Sequence, residues 1–318
     1  MKTYFIINPA AGQGKRIKEL EAEILKISES LNADSIIYFT KFPGDARNFV
    51  QKICEENPNS RFIACGGDGT LSEVLNGAIG FDEAQIGVYP IGTGNDFCRN
   101  FGGDADFMNI AAQINGEAIC CDAIKYSSLW DGEEKTGYCA NMFNIGFDCN
   151  VADMTATMKK KPFISGSLAY FISIFVNLIK KKGAFLKLEL DGRIVHSGKL
   201  LLTSIANGSF CGGGIKSNPL ASLRDGFINI NIVKDVSRLK FIKLLPHYMK
   251  GDFLSLKNIE NIVTSPKCKK IIVTPLKDKI RLCIDGEIIS TLQTEFEIVP
   301  EAFKFVVPSV KAKQISIN

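Results

Sequence analysis

The chain has 318 residues, of which 46% are hydrophobic, so it is long enough for two domains and can fill ordinary cores. Its formal net charge of +4 is small for this length, which argues against a nucleic-acid-binding protein. The ten cysteines include no Cys-x-x-Cys pair and the N-terminal residues do not resemble a signal peptide, so we expect a cytoplasmic protein without a zinc site or disulfides.

Strands and helices alternate regularly in the first third of the chain. Each predicted strand is a short apolar run, and a turn leads from it into a helix. This alternation predicts a parallel, doubly wound α/β sheet. The predicted strands are Thr3–Asn8, Ser35–Thr40, Arg61–Cys65 and Gln85–Tyr89, and the helices end near Ser30, near Glu55 and at Asn115, the last one beginning at Asp106.

Glycine-rich turns follow the first, third and fourth of these strands. They are Asn8–Lys15, Gly66–Thr70 and Pro90–Phe97. The carboxyl ends of the strands of a parallel sheet lie along one edge, and ligands bind at that edge. We therefore expect the three turns to form one site.

The turn at Gly66–Thr70 indicates what this site binds. Its glycines let the backbone approach a ligand closely, and the helix that follows points free N–H groups at that ligand. An anion, most often a phosphate, is the natural occupant. Asp68 would repel a phosphate unless a cation lay between them, so the turn predicts a metal–nucleotide site, and we expect Mg²⁺ with ATP.

From Ala118 onward the sequence consists of short, often alternating apolar runs separated by turns such as Asp191-Gly192. This pattern predicts a β-rich second domain, a sandwich that also carries a polar helix around Arg238–Met249. The predicted strands are Ala118–Tyr126, Lys135–Phe147, Ala184–Leu190, Arg193–Ala206, Phe227–Val233, Lys269–Thr274, Lys279–Ile284 and Thr294–Val299.

The change of pattern sets the expected domain boundaries. The first domain would cover residues 1–124 and the second residues 125–299, with the active site in the cleft between them. A last strand at Ala302–Val307 would return the C-terminal segment, about residues 300–318, to the first domain.

The segment Phe163–Ile179 is apolar and has lysines on both sides, but polar residues interrupt it. It falls short of the roughly 20 residues that a transmembrane helix needs. Two interpretations remain, a helix packed on the protein and a helix that touches the membrane surface.

Asp285-Gly286-Glu287 places two carboxylates two residues apart beyond a strand. Either carboxylate is a candidate to take the proton from an attacking hydroxyl, although a bare Asp-Gly pair is most often a hairpin turn. The segment Asn207–Gly214 is too rich in glycine for a regular strand, and it forms either a bulge or part of the frame of the cleft. The two histidines, His196 and His247, occur in unrelated contexts, and we interpret them as structural.

Together these motifs resemble the bacterial diacylglycerol-kinase-like lipid kinases, which share a catalytic fold with the sphingosine kinases. The resemblance covers nearly the whole chain. Gly-Gly-Asp-Gly alone is shared with NAD kinases and phosphofructokinases, whereas Asn95-Asp96-Phe97 and the late Asp-Gly-Glu favour the lipid kinases. The other matching segments are Asn8-Pro9-x-x-Gly12, Thr40–Ala46, Leu71-x-Glu73-Val74-x-Asn76, Asn144-x-Gly146-Phe147-Asp148, Asn207-Gly208, Gly212-Gly213-Gly214, Pro219-x-Ala221 and Asp225-Gly226.

The resemblance implies roles for residues of the first domain and for the late acidic turn. Asp68 would hold the catalytic Mg²⁺, directly or through water, and Asp285 or Glu287 would be the general base. The residues expected to surround ATP are Asn8, Pro9, Ala10, Ala11, Gly12, Thr40, Gly66, Gly67, Asp68, Gly69, Thr70, Leu71, Ser72, Thr93, Asn95 and Asp96.

The family also suggests a structural Mg²⁺ in the second domain, beside the turn at Asp225 and the backbone oxygens of Ser222 and Phe227. The sequence departs from the usual pattern here, because Arg224 and Asn229 stand where further acidic residues are often found. Whether this turn holds a metal is therefore open, and Arg224 would partly replace the positive charge of a missing ion.

The function implied is that of a kinase that transfers the γ-phosphoryl group of ATP to a lipid hydroxyl, such as that of diacylglycerol. We expect a cytoplasmic protein with a lipid substrate and transient contact with the inner membrane face. Two alternatives remain: an NAD-kinase-like kinase of a soluble substrate, and a nucleotide-binding regulatory protein without turnover. A homodimer is one option for the oligomeric state.

Overall fold

The protein is represented by a computed structural model that describes residues 1–14, 16–103, 105–130, 133–147, 149–151, 154, 183–277, 279–285 and 287–308. It divides into two compact units. The first unit consists of Met1–Ala123 together with the chain from Pro300 onward, and the second consists of Ile124–Val299. The helix predicted at Phe163–Ile179 lies outside the described residues.

The first unit alternates strands and helices, as its sequence pattern predicts. The strands β1, β3 and β4 are largely buried, whereas the side chains of β2 are half-buried or exposed. The elements are β1 (Lys2–Ile7), α1 (Ile17–Ser30), β2 (Ser35–Phe39), α2 (Asp45–Glu56), β3 (Ser60–Gly66), α3 (Asp68–Ala78), β4 (Gln85–Pro90), α4 (Asp96–Arg99) and α5 (Ile110–Ile114).

Four of these strands pair in parallel in the order β2-β1-β3-β4. The register aligns Ile7 with Cys65 and Cys65 with Tyr89, so β1, β3 and β4 end side by side. The turns that follow these three strands therefore leave the sheet at one edge. This arrangement confirms the predicted doubly wound α/β class of the first unit.

The helix predicted at Asp106–Asn115 is interrupted in the structure. A 3₁₀ turn covers Asp106–Met108, and α5 begins only after Asn109. The side-chain oxygen of Asn109 accepts a hydrogen bond from the N–H of Ala112 at 2.9 Å and so caps α5. The prediction of one continuous helix was wrong because this asparagine starts a new helix.

The second unit is built mainly of antiparallel strands. Its one long described helix follows β10. The elements are β5 (Glu117–Trp130), β6 (Glu133–Cys139), β7 (Met142–Gly146), β8 (Ala184–Leu190), β9 (Arg193–Ala206), β10 (Ile228–Lys234), α6 (Arg238–Lys250), β11 (Val263–Thr264), β12 (Lys267–Cys268), β13 (Lys270–Pro275), β14 (Ile280–Ile284), β15 (Glu287–Thr291) and β16 (Thr294–Val307). The strands β5 and β16 cross the boundary between the units: β5 belongs to the first unit up to Ala123, and β16 belongs to it from Pro300.

The long strand β9 organises the second unit. Its first half pairs with β8, and its second half pairs with β7 and β10. Side chains from these strands and from β13, β14 and β16 form one buried apolar cluster, which includes Phe143, Leu188, Ile230 and Phe296. The β-rich class predicted for this region is confirmed. Among the described helices, none combines the length and the apolar character needed to cross a membrane.

The single strand predicted at Lys135–Phe147 is two strands, β6 and β7. The break falls at Ala140-Asn141, where the backbone oxygen of Asn141 accepts the N–H groups of Asn207 and Gly208 at 2.8 and 3.0 Å. The side-chain amide of Asn141 also donates to the backbone oxygen of Phe210 at 2.8 Å. The prediction was wrong because a distant loop binds the chain at this point and ends the ladder.

The end of β16 completes the sheet of the first unit. Lys304 and Phe305 pair in parallel with Gln85 and Ile86 of β4. Where β16 enters this unit, Glu301 has a φ of +50° and its N–H donates to the buried carboxylate of Asp122 at 2.9 Å. The core of the first unit thus includes residues that are distant in sequence.

Candidate active site

The turns after β1 and β3 are joined by direct contacts. The side-chain amide of Asn8 donates to Thr70 Oγ1 at 3.3 Å, and the backbone N–H of Asn8 donates to the backbone oxygen of Cys65 at 3.0 Å. Gly12 lies in the left-handed region with a φ of +58°, where a side chain would strain the backbone. The first turn is therefore shaped by its contact with the start of α3.

The turns after β3 and β4 approach each other even more closely. The N–H groups of Ile91 and Gly92 both donate to the backbone oxygen of Gly66, at 3.0 and 3.2 Å. A Cβ atom on Gly92 would collide with the Cα atom of Gly67. Both glycines are needed because two backbones meet here without room for a side chain.

The first turn of α3 has the geometry of an anion site. Gly67 precedes α3 in an extended conformation and has no side chain that could cap the helix. The first N–H groups of α3 are therefore not bonded to a capping side chain. The helix dipole adds partial positive charge at the same end. The N–H groups of Gly69 and Thr70 are therefore available to phosphate oxygens.

Asp68 is held at the centre of this edge. Its Oδ1 accepts the N–H of Asp96 at 2.9 Å. Burial raises the pKa of the Asp68 carboxyl, and backbone N–H groups around Asn95–Phe97 partly offset that effect by bonding the ionised form. The turn after β4 therefore fixes this carboxylate in one orientation.

Gly94 keeps a small space open in front of two carboxylates. A Cβ atom there would lie 2.6 Å from Asp68 Oδ2 and 3.3 Å from Asp96 Oδ2. Among the described residues no group of three or more His, Cys, Asp or Glu side chains gathers to form a complete metal cage. Mg²⁺ commonly takes one or two carboxylates and fills its shell with water and phosphate oxygens, so Asp68 and Asp96 fit a magnesium–nucleotide complex.

The other residues predicted around ATP divide into exposed and buried groups. Pro9, Ala10 and Thr93 are exposed along the edge of the sheet, whereas the side chain of Leu71 is buried in the core. Asn95 is buried with a φ of +52°, and its amide donates to the backbone oxygen of Gly92 at 3.1 Å. Asn95 therefore stabilises the turn after β4 and Leu71 packs α3 into the core, while the exposed residues face solvent.

Glu73 has a role that the sequence did not reveal. From α3 its carboxylate accepts the N–H groups of Gly44 and Ala46 at 2.9 and 3.1 Å and so caps the start of α2. Thr40 lies at the other end of the same loop, with its N–H bonded to the backbone oxygen of Ile7 at 2.9 Å. The only sequence signal was the position of Glu73 in the motif that begins at Gly66.

The second unit holds Asp285 in an unusual conformation. Asp285 has a φ of +43°, which is costly for a residue other than glycine. Its carboxylate accepts the thiol of Cys139 at 3.2 Å and the N–H of Met142 at 3.3 Å. Burial and the nearby Asp285 carboxylate raise the pKa of Cys139 well above its usual value, so the thiol stays protonated and can donate.

The rest of the late acidic turn consists of Gly286 and Glu287. Glu287 begins β15, but its side chain and Gly286 lie outside the part of the chain that the structure describes. The loop from Asn207 bonds to Asn141, beside the Met142 that contacts Asp285. The segment Asn207–Gly214 thus supports the start of β7, where Met142 contacts the candidate base Asp285.

The turn at Asp225 has its own internal cation. Lys267 places its ammonium 2.5 Å from Asp225 Oδ2, and Oδ1 accepts the N–H of Phe227 at 3.2 Å. A magnesium ion at this turn would have to displace the lysine from the single carboxylate. The residues present therefore do not fit a resident metal well, and Lys267, rather than Arg224, is seen to supply the compensating charge.

Comparison with protein families matches both parts of the chain. The family model of the diacylglycerol kinase catalytic domain matches residues 2–126. The model of the YegS C-terminal NAD kinase beta sandwich-like domain matches residues 141–307.

Individual proteins match over nearly the full length. A diacylglycerol kinase of Bacillus subtilis (strain 168) is 28% identical over 98% of this chain and 97% of its own. A diacylglycerol kinase of Staphylococcus aureus (strain bovine RF122 / ET3-1) is 30% identical over 92% of this chain and 87% of its own. The crystal structure of a putative diacylglycerol kinase from Bacillus anthracis str. Sterne shares the fold, with a TM-score of 0.74 and 23% identity over 97% of this chain and 98% of that one.

Proposed function

Because the chain belongs to the diacylglycerol kinase and YegS-like lipid kinase family, we propose that it transfers the γ-phosphoryl group of ATP to the hydroxyl of a diacylglycerol-like lipid. A kinase of this family uses ATP, and its family implies a lipid substrate. The observation that supports the proposal is the meeting of three turns around Asp68, which places an uncapped helix start beside a pair of carboxylates.

In this proposal the first unit binds and orients the nucleotide. The N–H groups at the start of α3 offset the charge of the phosphates, and the turns at Asn8–Gly12 and Gly92–Asp96 fix their position. Magnesium, when bound beside Asp68 and Asp96, would neutralise charge on the phosphate oxygens. The remaining contribution of these residues is positioning, since phosphoryl transfer needs little covalent chemistry from the protein.

Asp285 is the base that we favour, with Glu287 as the second candidate. The lipid oxygen forms a bond to the γ-phosphorus, its proton passes to the carboxylate, and ADP leaves. Cys139 and Met142 donate to the carboxylate of Asp285 and so orient it. A lipid substrate would also require transient contact of this cytoplasmic protein with the membrane.

The test is the transfer of radiolabelled phosphate from ATP to diacylglycerol, to lipid extract and to NAD. We expect label in the organic phase, and a loss on the order of 10²–10⁴-fold for Asp68→Ala and for Asp285→Ala. Asp82→Ala, which changes an exposed carboxylate of the first unit, should leave the rate unchanged. All variants should remain folded by circular dichroism.

Other outcomes separate the alternatives. Label on NAD instead of lipid would favour a kinase of a soluble substrate, an option kept open by the similarity of the second unit to an NAD kinase beta sandwich-like domain. ATP binding without transfer to any acceptor would favour a regulatory protein. Full activity in Asp68→Ala would contradict the role assigned to this residue.

A further inference from the structure

Helix α6 has one buried side and one exposed side that still carries apolar residues. Phe241, Leu244 and Tyr248 recur at helical spacing and pack into the core of the second unit, each at most 5% exposed. On the outward side Leu239 is 75% exposed and Ile242 is 48% exposed. Leaving these two large apolar side chains in water costs free energy unless they meet another apolar phase.

The same side of α6 is strongly cationic. Lys240, Lys243 and Lys250 are exposed, and the helix from Arg238 to Lys250 contains no acidic residue. Within the described part of the chain, no carboxylate lies within ion-pair distance of these three lysines. We call Leu239, Lys240, Ile242, Lys243 and Lys250 together the outer face of α6.

The acidic residues that flank the helix lie outside it, and each contacts a partner other than the three lysines. Asp235, before the helix, lies 2.8 Å from the ammonium of Lys199, and Asp252, after the helix, lies 2.9 Å from Nδ1 of His247. The outer face therefore combines positive charge with apolar side chains. This is the composition of helices that lie in the interface of an anionic bilayer.

We propose that the outer face of α6 docks the protein on the surface of an anionic lipid bilayer; this inference deepens the proposed function, which requires access to a lipid. Leu239 and Ile242 would enter the boundary between headgroups and acyl chains. The three lysines would pair with lipid phosphates, their aliphatic stems lying along the apolar boundary. The helix would lie in the plane of the interface.

A bilayer fits this face better than a protein partner does. Two exposed apolar side chains are too few for the buried centre of a stable protein interface, which needs roughly 20–30 residues on each side. An interfacial helix needs only a shallow apolar contact when electrostatic attraction to the lipids accompanies it.

The experiment measures co-sedimentation of the full chain with vesicles of phosphatidylcholine, with and without phosphatidylglycerol. We expect binding only to the anionic vesicles. Combined Lys240→Gln, Lys243→Gln and Lys250→Gln should weaken that binding on the order of 100-fold, and Leu239→Gln with Ile242→Gln roughly tenfold or more.

The matched control replaces three exposed lysines elsewhere, Lys26→Gln, Lys52→Gln and Lys125→Gln, and so makes the same change in net charge. The control should bind anionic vesicles like the unmodified chain. Equal weakening in the control, unchanged binding in the α6 variants, or a change of oligomeric mass in those variants would each overturn the proposal.

The kinase assay distinguishes this inference from the proposed function. With a short-chain diacylglycerol presented in detergent micelles, the α6 variants should transfer phosphate at the unmodified rate because none of the changed residues belongs to the candidate site. If no variant and no unmodified protein transfers phosphate, but vesicle binding still depends on α6, the docking proposal stands and the proposed function fails.

Discussion

Asp68 and Asp285 are two carboxylates with very different partners. Asp68 accepts backbone N–H groups from the turn after β4, whereas Asp285 accepts a thiol and one N–H. Backbone donors are fixed by the fold, but a thiol donor depends on one side chain that a single substitution removes. Single substitutions can therefore test the two carboxylates separately.

Cys139→Ala should lower kcat roughly tenfold with little change in KM, because one hydrogen bond that orients the candidate base is lost. A carboxylate that loses a donor holds its proton more tightly, so the acidic limb of the pH–rate profile should move to higher pH. Cys139→Ser keeps a donor, so it should restore most of kcat and most of the original position of the acidic limb. Cys268→Ala removes a buried thiol of the same unit and should change neither quantity.

Asp68→Asn should make the first unit more stable at neutral pH while it removes activity. Burial raises the folded-state pKa of Asp68. At low pH the carboxyl is protonated in both the folded and the unfolded state, so it does not lower the free energy of unfolding. As the pH rises, the unfolded chain ionises first, so stability falls between the unfolded-state and the folded-state pKa of Asp68, and the full penalty is present above the folded-state pKa. Urea unfolding should show a gain in the free energy of unfolding at neutral pH that vanishes in acid; a variant less stable than the parent would contradict this account.

Among the helices, α2 and α3 are coupled through one side chain. Glu73 in α3 supplies the cap that the N-terminus of α2 lacks, since Gly44 has no side chain to provide it. The loop between β2 and α2 includes Thr40, one of the residues predicted beside ATP. The loop thus depends on a residue from a different element.

Glu73→Ala should lower the free energy of unfolding by about 1–3 kcal/mol, because two backbone N–H groups lose a charged acceptor. It should also increase proteolytic cleavage between Thr40 and Ala46. Glu55→Ala, which removes a carboxylate from the exposed side of α2, should cost little in urea unfolding. Equal losses in the two variants would show that Glu73 does not cap α2.

Local sequence patterns predicted most strands and helices of both units. The alternation of apolar runs predicted β1 to β4 within a residue or two, and β8 and β9 with the observed bounds. The interruption of the predicted Asp106–Asn115 helix has a local cause, the cap at Asn109, whereas other features depend on distant residues. The break between β6 and β7 depends on Asn207 and Gly208, and the orientation of Asp285 depends on Cys139. Neither partner is visible in the local sequence.

Over the whole molecule, the first unit is discontinuous in sequence. Phe305, near the C-terminus, lies 4.8 Å from Phe97, 5.1 Å from Phe101 and 5.9 Å from Phe107, measured between ring centroids. It is fully buried. The stability of the first unit, which carries the turns of the candidate site, therefore depends on the end of β16. This segment follows the entire second unit in sequence.

Phe305→Ala should destabilise the first unit by about 3–5 kcal/mol, because it leaves a cavity among aromatic rings. The loss should appear as weakened ATP binding at moderate urea concentrations, before the second unit unfolds. Phe42→Ala, at a residue that is 57% exposed, is the matched control and should be nearly neutral. If both variants unfold at the same urea concentration, the C-terminal strand does not stabilise this core.

The position of Phe305 also has a consequence during biosynthesis. When residues Met1–Ala123 have emerged from the ribosome, Phe97, Phe101 and Phe107 still lack β16, the strand that covers them. The whole second unit must still be translated, which at roughly 5–20 residues per second takes on the order of ten seconds or more. The nascent chain therefore carries an incomplete aromatic core throughout that period, and it is a natural client for a chaperone that binds apolar segments as they emerge.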